Sequence, residues 1–172
     1  MRILGIDPGY GRTGYGVIDV YGNRLQAAEY GLIETDAALP MERRLQQIYD
    51  ALRDIIARTS PERLALEQLF FNRNVTTAIA VGQARGVILL AGVQAGLSCA
   101  EYTPMQVKQS IVGYGKAEKQ QIQEMVKIFL NLAQVPKPDD VADALAIAIT
   151  DAHMFSFQTS LEMRAKKRGT TS

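Results

Sequence analysis

The first 35 residues show no helical period. Apolar positions alternate through residues 2–7, 13–20 and 24–35, and glycines punctuate the run. Alternation at period two builds strands, and the turn Tyr21-Gly22-Asn23 joins the second and third as a hairpin. Three strands so early commit the chain to a sheet, and the rest of the sequence must cover it. From Met41 the pattern changes: Leu45, Ile48, Leu52, Ile55 and Ile56 recur at three or four residues, so residues 40–58 read as an amphipathic helix ended by Ser60-Pro61. Residues 62–67 form a fourth strand and Phe70-Phe71-Asn72-Arg73-Asn74 a loop. A helix over 75–95 carries Ala78, Ala80, Gly82, Ala84 and Gly86, small residues that let another backbone approach closely. A fifth strand at 98–102, a short helix at 104–111, a break at Gly113-Tyr114-Gly115, and helices near 118–133 and 139–155 follow. A meander followed by alternating helices and strands implies an α/β fold, a five-stranded mixed sheet flanked by helices on both faces.

At 172 residues, with 47% apolar and 22% charged, the chain has the size and composition of one globular domain. That domain is read as 1–156, and 157–172 as a basic, flexible C-terminal tail. A single cysteine, Cys99, cannot form an intramolecular disulfide, and with His153 as the sole histidine there is no Cys/His set for zinc. A reducing, cytoplasmic location is expected. The charged Asp7 arrives before a signal-peptide apolar region could form, and no unbroken run of about 20 apolar residues is present, so neither secretion nor membrane spanning is expected. A net charge of +1 offers no whole-molecule argument for nucleic acid. Locally, Lys108, Lys116, Lys119, Lys127 and Lys137 face only Glu118 and Glu124 across residues 102–137, a pattern that serves solvated helix faces as well as a polyanion.

The acids are more informative. Asp7 ends an apolar strand, on the face shared by Ile3 and Gly5, where a carboxylate is costly unless paired, metal-bound or solvated; before Pro8-Gly9 it also suits a turn. Glu67 repeats this on the fourth strand, sharing a face with Arg63 and Ala65, and alone would pass for an ordinary strand-end charge. In Pro138-Asp139-Asp140-Val141-Ala142-Asp143, Asp139 suits an N-cap, and Asp140 lies in a first turn whose dipole favours an anion, as cap or as ligand. Asp143 sits in an Ala/Leu/Ile run whose lack of a polar face predicts burial, with no lysine or arginine nearby in sequence. If the first and fourth strands are parallel neighbours, Asp7 and Glu67 meet at the edge where open sheets place their ligands. Four carboxylates without a thiolate or imidazole suit Mg²⁺ or Mn²⁺, and two such ions about 3.5–4 Å apart would serve phosphodiester hydrolysis.

Gly9-Tyr10-Gly11-Arg12-Thr13-Gly14 matches a dinucleotide fingerprint formally, but a strand follows where that motif needs a helix. Its likeness to the first phosphate loop of actin-like ATPases would require a second domain, which the sequence does not supply. The stretches GIDPGYGRTGYGVI, LALEQLFFNRN, VGQARG, QVKQSIVGYGKAEKQQIQEMV and DDVADALAIAIT resemble, in order, blocks of the RuvC family of bacterial Holliday-junction resolvases, and together they span residues 2 to about 153. The resemblance implies a ribonuclease-H-like fold, a catalytic tetrad at Asp7, Glu67, Asp140 and Asp143, and Lys108 and Lys119 beside the scissile phosphate. It also implies Phe70 stacking on bases and a homodimer making paired nicks in four-way junctions alongside a branch-migration motor; beside Phe70, Arg73 has the chemistry of a phosphate contact, and Lys116 is read as a further DNA contact. A junction-binding protein without catalysis and an actin-like ATPase fragment are the alternatives. The first has no need of four acids at one edge.

Overall fold

The computed structural model describes residues 1–68 and 75–169. Ten elements follow one another: β1 (Arg2–Asp7), β2 (Arg12–Tyr21), β3 (Arg24–Glu34), α1 (Met41–Thr59), β4 (Arg63–Glu67), α2 (Val75–Gln94), β5 (Ser98–Tyr102), α3 (Pro104–Val112), α4 (Lys119–Phe129) and α5 (Asp139–Gly169). The sheet order is β3-β2-β1-β4-β5. β1, β2 and β3 pair antiparallel, whereas β4 runs parallel to both β1 and β5. The mixed sheet expected from the sequence is therefore observed, with β1 and β4 as parallel neighbours.

Alternation in β1 divides the core. Leu4 and Ile6 face α1 and α2, packing with Ile48, Leu52, Ile55, Ile88, Leu64 and Leu66. Ile3 faces the opposite side, with Ala65, Ile18, Val107, Ile122, Val126 and the buried run of α5 from Leu145 to Ile149. Each such Ile or Leu withdrawn from water contributes about 1.5–3 kcal/mol, so both helical layers are held to the sheet by burial. Local signals end several helices. Ser60 adopts a left-handed conformation (φ 47°) after α1, and Gly113 does so (φ 87°) after α3, which begins with a reciprocal capping box between Thr103 and Gln106.

Two helix ends differ from the sequence reading. α4 stops at Phe129 rather than near 133, because Asn131 takes a positive φ of 50° that ends the helical path. α5 begins at Asp139 as expected, which makes Asp139 the first helical residue rather than the cap before it. That helix also runs on to Gly169, past residue 156, through the stretch read as a tail. The loop at 70–74, with Phe70 and Arg73, lies outside the described residues.

α2 has few polar side chains, and over Thr76–Gln94 its mean hydropathy of 1.4 is that of a helix long and apolar enough to cross a membrane. Here one face enters the core through Ala80, Ala84, Ile88 and Ala91, and Arg85 forms an ion pair with Glu101 of β5 at 2.5 Å. The opposite face leaves Ile79, Leu90 and Val93 between 51% and 64% exposed.

Candidate active site

The site forms where β1 and β4 end. The pairing Ile6 with Leu66 is the last rung between these strands, so Asp7 and Glu67 emerge side by side one residue later. On the other flank Asp7 is paired with Gly14 of β2. A Cβ at Gly14 would overlap the carbonyl oxygen of Asp140, so the missing side chain is what lets the start of α5 rest on the strand beside Asp7. Gly5 does the same beneath the Ala144 carbonyl. Gly5 in β1 and Gly14 in β2 are thus the seat for the helix.

Asp7 feels the charge of each of the other three acids. Burial, then the charges of Asp143, Glu67 and Asp140, raise the Asp7 pKa to about 7 against the partial relief of Lys119. Glu67 is raised by burial and by Asp143, with Lys108 and Lys119 acting in opposition. Asp143 is raised by burial too, less the effect of Lys119. Its side chain is 33% exposed, so the burial expected for it is incomplete. Lys119 Nζ lies 3.0 Å from Asp143 Oδ2 and 3.4 Å from Asp139 Oδ2. Burial would lower the Lys119 pKa, but these carboxylates outweigh it and hold the ammonium protonated. The sequence showed no basic partner for Asp143 because its partner lies on α4. A cavity of about 230 Å³ opens here, lined by Glu67, Asp143, Lys108 and Lys119 over a floor that includes Val107 and Ile122. Lys116 is exposed, between α3 and α4.

The donor set is all oxygen and carries more negative charge than Lys119 and Lys108 neutralise, the chemistry a hard divalent cation satisfies. Among the described residues, no three His, Cys, Asp or Glu side chains stand close enough together to hold a metal ion as they are placed.

The sequence model of the crossover junction endodeoxyribonuclease RuvC family matches residues 3–151. The chain belongs to this family. The RuvC of Heliobacterium modesticaldum is 60% identical over 157 residues, covering 91% of this chain and 97% of that protein. The Brevibacillus brevis RuvC is 57% identical over 157 residues, covering 91% and 95%. The structure of Thermus thermophilus RuvC in complex with a Holliday junction substrate superposes with a TM-score of 0.88 at 36% identity, covering 92% of this chain and 97% of that one. The ribonuclease-H-like, RuvC-type fold follows from that match.

Proposed function

We infer that this protein is a metal-dependent endodeoxyribonuclease that resolves four-way DNA junctions by paired nicks. The observation that carries this reading is the placement of Asp7 and Glu67 at adjacent parallel strand ends, with the α5 start that bears Asp140 and Asp143 seated beside them, in a chain of the RuvC family. Asp7, Glu67, Asp140 and Asp143 would hold two Mg²⁺ ions, with Mn²⁺ as a substitute. Bound there, the ions would supply the charge that activates water and stabilises the leaving oxygen, giving 5′-phosphate and 3′-hydroxyl ends.

The chain's own groups do the rest. Burial and mutual repulsion raise the pKa values of Asp7, Glu67 and Asp143, and positive charge would relieve that strain, so site and cation are complementary. Lys119 and Lys108 border the same cavity, where an ammonium opposes charge that develops on the reacting phosphate. Lys116 would contact the DNA backbone, and Phe70 and Arg73 would supply a stacking surface and a phosphate contact.

The exposed apolar face of α2 supports a homodimer, since two-fold pairing would bury Ile79, Leu90 and Val93 of both copies and place two sites on like strands of a two-fold junction. Cooperation with a branch-migration motor and a cytoplasmic location complete the reading. Incubation with a synthetic four-way junction tests it. Symmetric, ligatable nicks in Mg²⁺ and none in EDTA are expected; ATP hydrolysis, or binding without cutting in either condition, would overturn it.

A further inference from the structure

β4 presents two charged side chains on the face toward α5: Arg63 at its start and Glu67 at its end. α5 offers two acids in return, Asp143 at the cavity shared with Glu67 and Asp151 against Arg63. The spans match. Four strand residues cover about 13 Å and eight helical residues about 12 Å, so when one pair is in register the other is too.

The Arg63 end is firmly built. Arg63 Nε donates to Asp151 Oδ2 at 2.6 Å and its Nη2 to Oδ1 at 2.8 Å, a side-on fork. The Tyr102 hydroxyl donates to the same Oδ1 at 2.7 Å, and Asp151 is fully buried. One turn further along α5, the Phe155 ring lies 4.8 Å from the Arg63 guanidinium. Tyr102 of β5 is the register partner of Glu67, so its backbone stands level with the acids while its hydroxyl reaches Asp151.

Near the site, the contact of α5 with the sheet runs over Gly5, Gly14 and Gly16. Close backbone packing resists lifting but gives little directional resistance to sliding, whereas a bidentate fork is directional. We propose that Arg63, Asp151 and Tyr102 are positioning residues that fix the axial register of α5 on the sheet and thereby hold Asp140 and Asp143 opposite Asp7 and Glu67. The proposal rests on reading those four acids as the metal site. The network itself lies about 12 Å along the helix from Asp143 and reaches no reacting atom.

Replacing the buried network by apolar groups of similar shape separates position from stability, because such replacements often leave stability intact. The triple variant Arg63→Met, Tyr102→Phe, Asp151→Leu is expected to melt near the wild-type temperature and to bind junction DNA in EDTA as before. Its affinity for Mn²⁺, measured by calorimetry on protein alone, should fall about tenfold or more, with the Mg²⁺ midpoint for cutting raised in proportion. Wild-type Mn²⁺ affinity in a well-folded triple variant would overturn the positioning role. If the triple variant unfolds, Arg63→Lys decides: it keeps the charge and loses the fork, so weaker Mn²⁺ binding at unchanged melting temperature supports the proposal and unchanged binding overturns it. A wild-type protein that neither binds Mn²⁺ nor cuts would instead overturn the reading of the acids, and the positioning proposal with it.

Discussion

In the unfolded chain Asp7 ionises near 3.8, and in the folded chain near 7, because burial and three neighbouring acids oppose its charge. The folded state therefore holds this proton more tightly, and stability declines as pH rises from about 4 through 7. A shift of that size corresponds to about 4 kcal/mol once both states are ionised, shared among the coupled acids. Asp7→Asn removes the burden together with the ligand. Its melting temperature should exceed the wild type's at pH 8, the advantage should vanish near pH 4, and junction binding should persist without cleavage. Thermal melts at the two pH values decide: a variant equally destabilised at both makes Asp7 a structural residue. At Lys119 the expectation is kinetic. Removing an ammonium 3.0 Å from Asp143 should slow cutting by about 10²–10³-fold while junction affinity falls much less. Single-turnover rates beside binding titrations would expose a merely proportional loss, which would reduce Lys119 to a surface contact.

Among the elements, α5 against β2 is the contact on which the site depends, and Gly14 is its narrowest point. A methyl group there meets the Asp140 carbonyl, so Gly14→Ala should cost roughly 1–3 kcal/mol and displace the start of α5. Denaturant melts and a cleavage assay together should show activity falling by more than the lost stability explains; cleavage at the wild-type rate would show that α5 has room to spare. Little of this contact was legible in the sequence. The strands were, because period two is a local signal; Asp7 and Asp143 stood out as carboxylates at or in apolar runs, whereas Asp140 read equally as a cap, Glu67 as a strand-end charge, and the family resemblance fixed the set of four. Gly14 read only as the end of a glycine motif entering the second strand, since the helix it admits begins 125 residues later. Arg63 and Asp151 lie 88 residues apart, and Lys119 pairs with Asp143 across two helices, so no local window contains either partnership. The end of α4 was missed for a different reason: Leu130 and Leu132 continue the apolar pattern past the point where Asn131 turns the backbone.

On the scale of the whole molecule, one site is only half of a resolution event. A junction cut on one strand is a nicked junction, and release of two intact duplexes needs a second cut on the symmetry-related strand while the first complex persists. In the proposed two-fold dimer the candidate interface is the side of α2 turned away from the core: Leu90 is 51% exposed and Val93 64%, on a helix whose other side is packed against the sheet layer. Exposed side chains of this kind are inexpensive to change in the monomer and decisive in an interface, so Leu90→Asp with Val93→Asp should leave the fold intact and abolish pairing. Sedimentation should then report a monomer. On a supercoiled plasmid bearing an extruded cruciform, wild-type protein should yield linear product, because both cuts fall before the substrate relaxes. The monomeric variant should yield nicked circles, since the first nick releases the supercoiling that maintains the cruciform and removes the substrate for the second. Linear product from a variant shown to be monomeric would mean that one protomer makes both cuts in sequence, and the apolar face of α2 would then need a different partner.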